Sequence, residues 1–153
     1  MKAKEIIEKD LINQFIGQRC VLRVGDIGEL GFQERDAYFG TITKIENKTF
    51  YDWDGDIELV AVSMVDWIGI SRWQKYTTFK QLAEIGINGK CEQFVGPLIH
   101  RELTEYGVLE ILPCSEEAIA NIETEADRQS KKRGNYFEKK YGITTDFHKY
   151  IQK

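Results

Sequence analysis

An α+β fold is predicted: a small, strongly bent antiparallel β-sheet with an amphipathic N-terminal helix before it and a helical C-terminal half after it. Three observations predict it. Residues 37–65 read as consecutive strands about an Asp54-Gly55 pair, residues 4–16 carry a helical apolar stripe, and helix-capping signals recur after residue 77.

In the central stretch, Asp-Gly is the dipeptide that a two-residue type I′ hairpin prefers, because both central residues need positive φ. With the turn at Asp54 and Gly55, Trp53 faces Asp56, Asp52 faces Ile57, Tyr51 faces Glu58 and Phe50 faces Leu59. The run Ile57 to Val65 is apolar on both alternating faces, as in a central strand covered on two sides. Upstream, Glu46-Asn47-Lys48 is read as a second turn, which makes residues 37–65 a three-stranded meander, and Gly40 marks a bend or bulge in its first strand.

Before the meander, Ile7, Leu11 and Phe15 recur at helical spacing with Ile12 and Ile16 beside them, and Gly17 fits the left-handed position that ends the helix. Residues 20–24 alternate as a first strand, and residues 25–36, with three glycines and several acids, read as a long mobile loop. Beyond the meander, Thr78-Phe79-Lys80-Gln81 is a capping box, so a short helix starts at Phe79 and stops at Gly86. Pro97 and Gly107 bracket a helix of residues 97–106, since Pro suits the first helical position and Gly the position past the last. A short strand at 108–112 ends at Pro113, and Ser115 with Glu116 and Glu117 starts a longer helix whose apolar face is Ala118, Ile119, Ile122 and Ala126. That face fades into RQSKKRG, so the helix is expected to project or fray before Gly134, and Asn135 caps a further short helix through Tyr141 that Gly142 ends. The organisation is therefore residues 1–17 as the N-terminal helix, 18–76 as the sheet or barrel domain, and 77–153 as a helical region with a basic tail.

Residues Tyr38-Phe39-Gly40-Thr41-Ile42 and the Asp-Gly hairpin resemble the small barrels of SH3-like and Tudor-like proteins, over roughly residues 18–76. The resemblance implies a coiled sheet of about four to six strands. It implies an architecture and no activity, because such folds host many functions.

At 153 residues, with 42 % hydrophobic and 30 % charged residues, the chain has the size and make-up of a globular domain. Cys20, Cys91 and Cys114 are odd in number and widely spaced, and with two histidines they predict neither a disulfide framework nor a zinc site. The N-terminal stretch is broken by Glu5, Glu8, Lys9 and Asp10, unlike a signal peptide, and no apolar run has membrane-spanning length. A reducing, cytoplasmic location and no membrane follow as expectations.

Net charge is −4 but uneven: residues 128–153 hold eight Lys or Arg against Glu138 and Asp146, leaving an acidic body and a basic end. Candidate binding residues are Trp67, Arg72, Trp73, Lys75 and Tyr76, where aromatics alternating with cations suit base stacking or peptide contact. The competing structural reading is that the two tryptophans close the barrel core. In the tail, Arg128, Lys131, Lys132, Arg133, Lys139 and Lys140 could meet phosphate or an acidic protein, against the plainer reading of a solubilising tail.

Other constellations are weaker. The order of elements after residue 79 resembles a winged helix-turn-helix, but the turn is too long and His100, Arg101, Glu102, Thr104 and Glu105 carry no cationic excess. Asp52, Asp54, Asp56 and Glu58 fail the EF-hand spacing. Cys91 and His100 are near in sequence only, and no phosphate-binding glycine motif occurs. No catalytic residue, metal or cofactor is assigned. The leading expectation is a non-catalytic binding protein, an adaptor or stoichiometric inhibitor contacting a protein partner. The alternatives are a nucleic-acid-binding regulator using the basic tail, and a nucleotide- or small-molecule-sequestering protein using Trp67, Arg72 and Trp73. A homodimer through the helix of residues 115–133 stays open.

Overall fold

The computed structural model describes residues 1–28, 31–52, 55–71, 79–86, 93–95 and 102–141. The fold is α+β, built on an antiparallel six-stranded sheet. Its strands are β1 (Arg19–Gly28), β2 (Gly31–Asp52), β3 (Gly55–Ser71), β4 (Gln93–Val95), β5 (Leu103–Tyr106) and β6 (Val108–Pro113). The order is β4-β3-β2-β1-β6, with β5 also pairing to β3. The C-terminal region is only partly helical, because β4, β5 and β6 join this sheet.

The N-terminal segment forms two short helices, α1 (Ala3–Glu8) and α2 (Ile12–Phe15), rather than one. Asp10 takes φ 55°, a left-handed geometry that Asp tolerates better than most residues, and the chain turns there. The break lets Ala3, Ile6 and Phe15 all bury in one cluster with Cys20, Leu22, Val24, Ile42, Val62, Met64 and Ile111 on one face of the sheet. Gly17, at φ 83°, ends α2 as the sequence predicted. The other face packs Val21, Phe39, Ile68 and Ile70 against α3 (Phe79–Glu84) and the long helix α4 (Glu116–Tyr141) through Phe79, Leu82, Ile122 and Ala126. The sheet is thus covered on both faces, each with its own apolar cluster.

Two hairpins replace the predicted meander and loop. Residues 25–28 pair with 31–34, Gly25 with Glu34 through Gly28 with Gly31, so the glycine-rich stretch is strand where the sequence suggested a loop. Glu46-Asn47-Lys48 is not a turn either. β2 runs through it, with Glu46 opposite Ala61, Asn47 opposite Val60 and Lys48 opposite Leu59. The reason is in the alternation: Lys44, Glu46 and Lys48 share one face and bridge one another at 3.3 and 3.4 Å, while Ile45 buries on the other. The ladder's last pair is Asp52 with Gly55, and Phe50 faces Ile57 rather than Leu59. The register lies two residues from the one predicted, which keeps every side chain on its expected face.

The predicted helix 97–106 is contradicted where the structure describes it. Leu103 to Tyr106 is β5, paired with Met64 to Ala61, while residues 96–101, which carry most of the second helix of the helix-turn-helix reading, lie outside the described residues. Gly107 does take positive φ, 77°, but serves a bend between two strands. Its N–H donates to the Val60 carbonyl at 3.0 Å and its carbonyl accepts from Gly25 N–H at 3.2 Å. Thus β5 lies on β3 while β6 lies on β1. Helix α3 begins at Phe79 as the capping box predicted. α4 starts as predicted too, with the Ser115 hydroxyl accepting from Ala118 N–H at 3.1 Å, and it continues through Gly134 to Tyr141 as one helix where the sequence suggested a break and a second short helix.

Candidate interaction surface

Trp67 is the only one of the predicted aromatic-basic group within the described residues; Arg72, Trp73, Lys75 and Tyr76 lie outside them. Its ring is half-buried, edge-on to Tyr38 at 6.1 Å, and packs on the cluster beneath α1 and α2. A β-bulge puts it there. Thr41 pairs with Val65 and Phe39 with Ile68, so Asp66 and Trp67 together oppose Gly40. Asp66 takes φ 50° at the bulge. Gly40 is required by the close approach: a Cβ there would lie 2.9 Å from Met64 Sδ and 3.1 Å from Trp67 Cα. The bend suggested by Gly40 in the sequence is therefore present, and it directs Trp67 toward the core.

The bulge is tied to the rest of the molecule by Arg19, which sequence reasoning did not single out. Its guanidinium donates to Thr41 Oγ1 at 3.2 Å, to the Asp66 carbonyl at 3.2 Å and to Glu123 Oε1 on α4 at 2.8 Å. It also lies 4.2 Å from the centre of the Phe39 ring. One planar cation thereby joins β1, β2, β3 and α4, a geometry that a lysine's point charge cannot reproduce. Arg19→Ala is expected to lower stability by about 2–3 kcal/mol, from lost charge-assisted hydrogen bonds and a cation–π contact. Arg19→Lys should recover less than half. Urea unfolding of the three proteins measures both, and a loss near zero for Arg19→Ala would show that the hub is dispensable.

The described tail cations lie on α4. Arg128 is held by a two-pronged contact with Glu125, and Lys131 bridges Asp127 at 3.0 Å. The Arg128 hydrogen bond holds the Glu125 carboxyl below its usual range against the opposing effect of burial. Lys132 is exposed, and Arg133, Lys139 and Lys140 occupy helical positions in α4. Acids fill the helix's first turn at Glu116 and Glu117 and bases accumulate towards its end, the arrangement that complements the helix dipole.

Neither described cysteine is set up as a nucleophile. Burial pushes the Cys20 and Cys114 thiols up to about 12, so both are protonated at neutral pH. Cys91 and His100 lie outside the described residues, as does Asp54 of the acidic hairpin series; Asp56 and Glu58 are exposed. Among the described residues no group of three or more His, Cys, Asp or Glu is placed to hold a metal ion, and no helix is long and apolar enough to cross a membrane.

Among the described residues the outer half of the β2–β3 hairpin forms an open surface. Past Ile42, which exchanges hydrogen bonds with Gly17 and Gln18, β2 has no strand on its outer side among the described residues. Lys44, Asn47, Lys48, Thr49, Phe50 and Tyr51 are exposed, Tyr51 by 85 %. Phe50 meets Tyr106 edge-to-face at 5.2 Å, and both rings remain substantially exposed. Tyr106 reaches this position because β5 pairs it with Ala61 across β3 from the Lys44-Glu46-Lys48 row. Sequence reasoning missed this surface; its local sign was the Phe50-Tyr51 pair beside the hairpin turn. Searches against protein-family models, curated proteins and solved structures find no match to the chain.

Proposed function

We propose that this is a non-catalytic binding protein, an adaptor or stoichiometric inhibitor, that engages a protein partner through the arm formed by residues 44–59 and β5. The supporting observation is the exposed Phe50–Tyr106 pair on one face of the arm, with Tyr51, which is 85 % exposed, on the opposite face. Tyrosine and phenylalanine bring large contact area at low entropic cost, which is why they are enriched at protein interfaces. The arm springs from a sheet packed on both faces, so the surface is held by a rigid base. In architecture, the reading extends to closure as an SH3-like barrel, supported by β5 and β6 reaching β3 and β1 from either side of Gly107. The reading places the protein in the cytoplasm, supported by its unpaired cysteines Cys20 and Cys114.

Affinity capture from host lysate with the wild-type chain and with Tyr51→Ala/Tyr106→Ala tests the function. A partner held by the wild type and released by the double variant is the expected result, at about 2 kcal/mol or more for two interface aromatics. A partner held equally by both proteins, or turnover of a small molecule by the purified chain, would overturn the proposal. Nucleic-acid binding through the tail predicts instead a complex that weakens steeply with salt and disappears on removing residues 128–153.

A further inference from the structure

We infer that the outer edge of β2 pairs antiparallel with the same edge of a second copy of this chain, with Asn47 on the two-fold axis. The inference deepens the proposal of a protein-binding arm by naming one partner, and it rests on the same arm.

The backbone direction comes first. The Val60 carbonyl accepts from Gly107 N–H, so Val60 turns its hydrogen-bonding groups away from β2. Asn47 is paired with Val60, and in an antiparallel ladder such a pair points both of its backbones outward. Asn47 therefore offers its N–H and C=O at the open edge, and by alternation Ile45 and Thr49 do the same. The β-bulge between Ile42 and Lys44 keeps the same edge outward at Ile42, whose N–H and C=O are taken by Gln18 and Gly17. Beyond Ile42 these groups meet no strand among the described residues.

Charge selects the partner. With Asn47 opposite its symmetry mate, Glu46 of each copy lies opposite Lys48 of the other, giving two cross-strand ion pairs, and Lys44 lies opposite the exposed Phe50 ring. Moving the axis to Glu46 would set Glu46 against itself and Lys44 against Lys48. Moving it to Lys48 would set Lys48 against itself. Edge lysines often discourage strand addition. Here the Lys-Glu-Lys order on one face is self-complementary about either residue flanking the glutamate, but an axis at Ile45 would run Lys48 against Ile42, whose N–H and C=O are already taken by Gln18 and Gly17, so charge and the free edge together favour Asn47.

Sedimentation velocity of the full chain over a wide concentration series provides the test. The wild type should show a monomer–dimer equilibrium. Asn47→Pro deletes an outward N–H without touching the β2–β3 ladder, and it should abolish the dimer while circular dichroism and thermal unfolding remain those of a folded protein. Glu46→Lys and Lys48→Glu, each alone, place like charges opposite one another twice and should raise the dissociation constant about tenfold. Mixing the two variants restores both ion pairs, so the heterodimer should form as well as the wild-type dimer. A wild type that stays monomeric throughout overturns the inference, as does a dimer indifferent to Asn47→Pro. A tighter dimer for Lys48→Glu would show the axis at Glu46 and refute the register. Loss of captured host partner in Tyr51→Ala/Tyr106→Ala with dimerisation intact would separate the functional proposal from this one.

Discussion

Gly86→Ala is expected to lower stability by about 3 kcal/mol, whereas Gly17→Ala, an identical change at an equally left-handed glycine, costs about 1 kcal/mol. Both residues have positive φ, 90° and 83°. The difference lies in what surrounds them. A Cβ at Gly17 meets nothing within 4 Å, but at Gly86 it would lie 2.7 Å from the Ala118 carbonyl oxygen and 2.7 Å from Asn121 Cβ. Neither neighbour can retreat. Ser115 N–H donates to the Ala83 carbonyl at 3.0 Å, its hydroxyl donates to the Glu84 carbonyl, and the Asn121 amide donates to the Ile85 carbonyl. These bonds clamp the end of α3 to the start of α4. Thermal unfolding should show a drop of roughly 6–12 °C for Gly86→Ala. Equal losses for the two variants would mean that the α3–α4 junction is loose.

Alkaline pH is expected to destabilise the protein steeply through two buried thiols. Burial, with a smaller repulsion from Cys114, raises Cys20 from 9.0 to about 12, and burial raises Cys114 likewise against the lowering influence of Arg19. In the unfolded chain both thiols ionise near pH 9, while in the folded protein they stay protonated. The folded state therefore holds more protons above pH 9, and stability is complete below that pH, falls between 9 and 12, and stops falling above it. The slope approaches about 1.4 kcal/mol per pH unit for each thiol, less for the partly exposed Cys114. Urea midpoints of the wild type and of Cys20→Ala between pH 8 and 11 measure it. The variant loses some packing at every pH, but its decline above pH 9 should be shallower by about one thiol's share. Parallel declines would show that Cys20 ionises freely in the folded state.

Much of the architecture was readable because it depends on local chemistry. Ser115 caps α4, Phe79 opens α3 and Gly17 closes α2 because hydroxyls, backbone donors and an absent Cβ act within a turn of chain. The candidate surface was less readable. Phe50 and Tyr51 stand beside the hairpin in the sequence, but Tyr106 joins Phe50 only because β5 lies along β3, more than forty residues away in the chain. Arg19 gave no local sign at all, since its partners come from β2, β3 and α4.

The errors share a cause. Residues 97–106 carry a proline and a glycine in helix-bracketing order, yet Leu103 to Tyr106 became a strand because the edge of β3 offered paired hydrogen bonds that an isolated helix could not match. Glu46-Asn47-Lys48 has turn composition, yet it stays extended because a long apolar strand faces it. The hairpin register was displaced by two because alternation specifies a side chain's face and not which same-face residue lies opposite. From the amino acids alone came the class, the two-sided burial of residues 60–64, the starts of α3 and α4 and the stop at Gly17, all set by periods of two and 3.6 and by capping. The tertiary structure alone decided how far each strand ran, which edge stayed open and which aromatics met upon it, because those outcomes depend on hydrogen-bonding partners remote in the chain.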